Sequence, residues 1–318
     1  MRLAAILALV LACGCARAQP YPSKPVRIVV PFPAGGIADV YARLIGARVG
    51  ESWGHPVVVE NRTGAGGNIG VDAVAKSPPD GYTLAMGAIG PNAVNVSLFA
   101  KMPYDPVRDF AAIELVLEAE GMLVVHPSLP VKSVPELIAY ARAKPGAVTF
   151  ASAGMGTASH LAGELFKTMA KVDMVHVPYK GNVPAISDLL SGQTSLIFAT
   201  MPTVLPFTKS GRLRALATIG SARSAAAPDL PTVAEAGLPG FEVNNWIGLF
   251  APAGTPADIV QRWNAEVARI MQSPEIQQRL PVEGARFTPN SPEQFSAFVK
   301  SEIAKWAPIV KASGARVD

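Results

Sequence analysis

The sequence predicts an α/β fold built from two similar units in tandem. Two observations carry this. Short β-branched runs alternate with helical stretches across Gly-rich loops, and the pattern starts at Val26 and starts again near Leu123. The length supports it too: 318 residues, 49% of them hydrophobic, supply two cores at about 100–200 residues per domain. Strands alternating with helices argue for parallel sheets with helices on both faces.

The elements follow in order. Val26–Val30 is a β-branched strand, broken by Pro31 to Gly36. Ile37 to Val49 is a helix, with Val40, Leu44, Ile45 and Val49 close to one face. Val57–Glu60 is a strand, Gly64 to Gly70 a glycine loop, Val71–Lys76 helical, and Tyr82–Met86 a strand after the turn Pro78-Pro79-Asp80-Gly81. The second unit opens with a strand at Leu123–Val125 and a helix at Pro135–Ala143, capped by Ser133 with Glu136 in its first turn. Val148–Ala151, Met174–Val177, Thr194–Phe198, Arg214–Thr218 and Trp246–Phe250 read as strands. Ser159–Ala170 and Ala185–Leu190 read as helices, and the tail holds two more, Ala257–Gln272 and Pro292–Ala312.

The N-terminus is set apart. Arg2, the apolar run Leu3 to Ala12 and the ending Ala16-Arg17-Ala18 describe a secretory signal peptide over residues 1–18. The run is shorter than the roughly 20 residues a spanning helix needs. Cleavage removes both cysteines, Cys13 and Cys15, and the basic Arg2 and Arg17, so the net charge of +4 falls to +2. Val10-Leu11-Ala12-Cys13 offers an alternative, a lipoprotein signal in which Cys13 carries a lipid anchor. Either way the expected location is the periplasm. A charge this small and scattered excludes a nucleic-acid footprint, which needs a basic patch.

Ligands of open parallel sheets sit beyond the carboxyl ends of strands, where helices begin. Two loops occupy such places: Pro33-Ala34-Gly35-Gly36, and Ala153-Gly154-Met155-Gly156-Thr157. Glycines let a ligand approach the main chain, and a helix N-terminus adds free N–H donors and partial positive charge. Such a pair can hold a small carboxylate without an Arg clamp; each loop also fits an ordinary βα turn. Asp39 is either a ligand contact or a carboxylate favouring its helix dipole. Tyr179 and Lys180 either line the cleft or form a surface turn. Gly64 to Gly70 spaces its glycines as G-x-G-x-x-x-G, one residue longer than the dinucleotide fingerprint, and lacks the acidic partner at the next strand end. No cofactor is expected. The histidines His55, His126, His160 and His176 show no metal-ligand spacing, so no metal is expected. Ser152 and His160 form at most an incomplete nucleophile–base pair, with no third residue to orient the base; Ser152 suits a hydrogen-bonding role better.

Taken together, PFPAGG at 31–36, ENRTGAGGNIG at 60–70, PDGYTL at 79–84, ASAGMGTASHL at 151–161, HVPYKG at 176–181, DLLSGQ at 188–193, LPTVAEAGLPGFE at 230–242 and FAPAGTP at 250–256 resemble the Bug family. These are the TctC-like extracytoplasmic solute receptors of tripartite tricarboxylate transporters. The resemblance spans the mature chain and implies a two-lobed periplasmic-binding-protein fold of the type II, flytrap kind, with a ligand cleft between the lobes. Residues 19–122 plus 248–318 are expected to form lobe 1, and 123–247 lobe 2. It implies a solute-binding protein, not an enzyme, and a monomer that captures a small organic acid, such as a di- or tricarboxylate or an aromatic carboxylate, for membrane permease subunits. A sensor feeding a membrane signalling protein, or an exported hydrolase using Ser152 and His160, are the alternatives. Carried over residue by residue, the ligand loops are Phe32, Pro33, Ala34, Gly35 and Gly36 with Asp39, and Ser152, Gly154, Gly156 and Thr157 with His160. Ala88, Tyr179 and Thr200 complete the expected site. Ala199-Thr200 stands where the family often has Asp, and residues 87–90 are more apolar than usual. Both departures favour a carboxylate with an apolar body.

Overall fold

The computed structural model describes residues 21–317; the expected signal segment, with Cys13 and Cys15, lies outside them. The chain begins with β1 (Val26–Val30), whose valines and isoleucine are nearly all buried. It continues through α1 (Ile37–Trp53), β2 (Val57–Asn61), α2 (Asn68–Ala75) and β3 (Thr83–Ala88). A wide helical turn, Gly90–Val94, runs into the short α3 (Asn95–Leu98) and is followed by β4 (Phe110–Ala119). Then come β5 (Gly121–Val125), α4 (Val134–Ala143), β6 (Thr149–Ser152), α5 (Ala158–Ala170), β7 (Val175–Pro178), α6 (Asn182–Leu190), β8 (Leu196–Thr200), α7 (Met201–Lys209) and β9 (Arg214–Thr218). The chain closes with β10 (Asn245–Pro252), α8 (Ala257–Met271), α9 (Pro274–Val282), β11 (Ala285–Arg286) and α10 (Pro292–Ser313).

Two sheets result. A six-stranded sheet has the order β11-β4-β10-β3-β1-β2, and a five-stranded sheet the order β7-β6-β8-β5-β9. The expected parallel pairing holds for β1 with β2 and β3, and for β6 with β7 and β8. It fails at β10, which runs antiparallel to β3 and β4, and at β5, which runs antiparallel to β8 and β9. These two strands are where the chain enters one sheet from the other. The first passage is the single residue Glu120, between β4 and β5; the second lies just before Asn245. Each entering strand comes from the far side of the cleft and so points against its neighbours. The fold is thus α/β with two lobes, each sheet mixed.

β4 was not evident in the sequence, because its Ala, Leu and Glu residues favour helix. Tertiary pairing overrides that preference: β4 lies between β11 and β10 and buries Glu114, which receives amide donors from Asn264 and Asn290. Burial pushes the Glu114 carboxyl up to about 8. The helices α3, α7 and α9 were not evident in the sequence either; α9 is polar and contains Pro281.

The C-terminal helix α10 starts from a capping box on Ser291 and Gln294 and packs along β4 and α3. It ties the chain end to the returning strand through one buried carboxylate: Trp246 and Trp306 both donate their indole N–H groups to Glu302 Oε2, at 3.0 and 3.2 Å. Among the described residues no helix is long and apolar enough to cross a membrane. Glu302→Ala strands two buried donors, each costing about 1–3 kcal/mol. Chemical denaturation should show a stability loss of about 2–4 kcal/mol for Glu302→Ala and a smaller one for Glu302→Gln, which keeps a carbonyl acceptor.

Candidate functional site

Three helices start at the carboxyl ends of strands and turn those starts toward one cavity. From the six-stranded lobe, α1 presents Gly36, Ile37 and Ala38. From the five-stranded lobe, α5 presents Thr157, Ala158 and Ser159, and α6 presents Asn182 and Val183. None of the three carries a side-chain cap at its N-terminus. The starts of α4 and α10 are capped by Ser133 and Ser291, whereas those of α2, α7, α8 and α9 also lack a side-chain cap, so the three are set apart by their convergence on one cavity. Intrahelical bonding leaves the first N–H groups of a helix without partners. The cavity therefore faces donors and the positive ends of three helix dipoles.

The opposite wall lies where the chain passes between the two sheets. Gly121, Ile219, Val243, Asn245 and Ile247 line it, with Phe198, Ala199 and Thr200 at the end of β8 and Ala88 at the end of β3. Hydrogen bonds knit this wall: Ile219 donates to Gly121 O at 2.9 Å and Val243 to Ile219 O at 2.8 Å. Ile247 pairs with Ala88. Among the described residues that line the cavity, none carries a charge.

The first loop is held by Asp39. This buried carboxylate accepts from the Gly35 amide at 2.9 Å, from Arg43 Nε at 3.0 Å and from Asn61 Nδ2 at 2.9 Å, and Asn61 also donates to Phe32 O. Burial acts to raise its pKa, but Arg43, the Gly35 amide and Asn61 outweigh burial and hold it below the ordinary carboxylate range. Asp39 fixes the loop and has no bond to spare for an occupant's amine.

The second loop is held by histidines. Ser152 Oγ lies 2.6 Å from His176 Nε2 and accepts from the Gly154 amide at 3.1 Å. The Gly156 amide donates to His160 Nδ1 at 3.2 Å. The two imidazoles lie 4.4 Å apart, and His176 stacks on Phe150. Burial pushes His160 down to about 3, helped by His176 and Lys167, and His176 down to about 4, helped by Lys167. Both rings are neutral at pH 7.

Of the residues expected at the site, Phe32, Pro33, Gly36, Ala88, Thr157 and Thr200 line the cavity. Ala34 and Gly35 are exposed at the loop tip. Asp39, Ser152, Gly154 and His160 are not in the lining and bond within their loops, Gly156 lies with its carbonyl oxygen against Gly90 of the other lobe, and Tyr179 donates to Asp188 Oδ2 at 2.8 Å. The Ser152–His160 pair imagined for a hydrolase does not form: Ser152 is fully buried and bonds His176 instead. Sequence reasoning missed Asn182, although it pointed to the loop after β7 and stopped one residue short. The opposite wall offered no local signal, because its residues meet only through the chain's two passages.

Residues 41–315 match the family described as "Tripartite tricarboxylate transporter family receptor". Protein BugT of Bordetella pertussis is 40% identical over 301 residues, spanning 94% of this chain and 92% of its own length. A protein from the tcbD-tcbE intergenic region of Pseudomonas sp. strain P51 is 39% identical, spanning 97% of this chain and 93% of its own. Among solved structures, an R. palustris protein with adipate superposes with a TM-score of 0.90 at 40% identity, covering 93% of this chain and all of its own. MatC of Rhodopseudomonas palustris with bound malate gives 0.87 at 36% identity, covering 91% of this chain and 100% of its own.

The histidine pair sets an acid limb. In the unfolded chain imidazole takes up a proton near 6.5; in the fold it does so only near 3 to 4. The unfolded state binds more protons between those values, so stability falls as pH drops from about 6.5 toward 4. Calorimetric melting temperatures should decline over that window, with a shallower slope for His176→Gln. An unchanged slope contradicts the assignment.

Proposed function

The chain belongs to the tripartite tricarboxylate transporter receptor family, and from that premise we propose that it is a periplasmic solute-binding protein that captures a small organic carboxylate with an apolar body and delivers it to membrane permease subunits. The observation that carries this reading is the meeting of three uncapped helix starts, drawn from both lobes, at a cavity with no charged lining. Each helix end stabilises an anion by about 0.3–1 kcal/mol, and up to ~2 when partly buried. Each hydrogen bond to the carboxylate adds roughly 1.5–3 kcal/mol. Together these suffice for binding without a cation. The relatives solved with adipate and malate support the class of ligand.

The opposite wall supports the rest. Phe198, Ile219, Val243 and Ile247 suit a hydrocarbon body, with Thr200 and Asn245 as polar neighbours. No acidic side chain lines the cavity to pair an ammonium group, which disfavours amino acids. Ser152 is buried away from the wall, and the hydroxyls that do line it, Thr157, Ser159 and Thr200, bond backbone groups and neighbouring hydroxyls rather than a histidine base, which favours capture over turnover. Residues 1–18 supply the export signal in this reading, with a lipid on Cys13 as the alternative.

A thermal-shift panel of adipate, malate, hexanoate, benzoate and glutamate tests the proposal. An acid at 100 times its Kd adds about 2.7 kcal/mol and should raise the melting temperature by about 4 °C. Hexanoate, benzoate or adipate should exceed glutamate; flat curves across the panel contradict the proposal. Asn182→Asp places an anion at the start of α6. It favours that helix's dipole but repels a carboxylate, so the fold should keep its stability while affinity falls at least ~10-fold.

A further inference from the structure

The glycine motif at 64–70 does not line the cavity, yet it lies against the second ligand loop across the cleft. A Cβ added at Gly66 would overlap the carbonyl oxygen of Met155 in the other lobe. A Cβ at Gly90 would lie 2.9 Å from the Gly156 carbonyl oxygen, and one at Gly156 would overlap Asn95 Oδ1. Two segments of the six-stranded lobe, the loop around Gly66 and the continuous turn from Gly90 to Asn95, thus meet the Met155–Gly156 backbone at distances that side chains forbid.

Asn95 is the centre of this contact and is built into place. It is fully buried, and its Nδ2 donates to Asn68 Oδ1 at 2.6 Å. Asn68, itself buried, belongs to the glycine motif, and Tyr104 Oη lies 3.0 Å from its Oδ1 and 2.8 Å from Pro91 O. This network aims Asn95 Oδ1 at the Gly156 backbone, where the oxygen has no hydrogen-bond partner. A buried carbonyl without a partner is disfavoured unless something offsets it. When the lobes part, water reaches that oxygen. The seat therefore makes closure unfavourable by itself and leaves the bound ligand to offset it.

We propose that Gly66, Gly90 and Asn95 form a closure seat for the Met155–Gly156 loop, and that this seat sets how long a carboxylate stays between the lobes. Gly66 and Asn95 do so without touching the ligand. They are positioning residues: a Cβ at 66 leaves the open form free and blocks the closed one. Ligand release then becomes fast while the lobes remain folded. The proposal rests on the receptor reading above.

The test uses the full mature chain and adipate, or whichever acid of the thermal-shift panel stabilises it most. Gly66→Ala puts alanine at φ +63°, so backbone strain must be separated from the cross-cleft overlap. Gly54→Ala is the control: φ there is +71°, and an added Cβ meets nothing within 4 Å. Asn95→Gln provides a second test with no left-handed backbone, since one more methylene presses the same carbonyl into Gly156. Stopped-flow release rates should rise at least tenfold for Gly66→Ala and Asn95→Gln and stay at the wild-type value for Gly54→Ala. Small-angle scattering should show wild type and Gly54→Ala contracting at saturating acid, and the other two failing to contract. Wild-type release and contraction in both Gly66→Ala and Asn95→Gln overturns the seat while leaving the receptor reading intact. A wild-type chain that binds no acid in the panel overturns both.

Discussion

A carboxylate can be held without a cation only where enough unsatisfied N–H groups point at one place, and this molecule is arranged around that requirement. The starts of α1, α5 and α6 bear no side-chain caps, and all three face the same cavity. The parallel strands behind them matter because each ends where a helix begins, which sets the helix N-terminus at the sheet's carboxyl edge. Charged residues near the site are spent on the scaffold. Asp39 and Arg43 bind one another and the first loop, so the lining itself stays neutral. In the proposed reading net charge plays no part in capture, and the helix ends carry it.

A two-lobed cleft follows from how the chain threads its sheets. β4 and β5 are separated by one residue, and β10 returns beside β4. The passages therefore run side by side, and their residues become the floor of the cavity. That floor is apolar because the strands that form it are buried in both sheets. One connected set of residues thus forms both the passages between the sheets and one wall of the cavity.

Much of this was legible in sequence where a local signal existed. Val26–Val30 and Val57–Glu60 read as strands and lie in strands, because β-branched runs bounded by breakers have few alternatives. The loops at Pro33–Gly36 and Ala153–Thr157 were found because a strand followed by glycines and a helix marks a binding edge. What sequence could not supply was the order of packing around the cavity. Ser152, Gly154 and His160 lie in the expected loop but outside the cavity lining, bonded within the loop and to His176, and Gly156 meets the other lobe. His176 was missed as a brace because it lies on the neighbouring strand, 24 residues away. β4 was missed because its residues prefer helix, and only its partners on either side make it a strand.

The central claim is that backbone N–H groups at helix starts, not charged side chains, hold the ligand. A crystal structure with the tightest-binding acid of the panel tests it most directly. The account predicts carboxylate oxygens within hydrogen-bond distance of main-chain N–H groups in Gly36–Ala38 and Thr157–Ser159, directly or through one bridging water, with the ligand's body against Ile219 and Ile247. A carboxylate paired instead with a Lys or Arg side chain would contradict it.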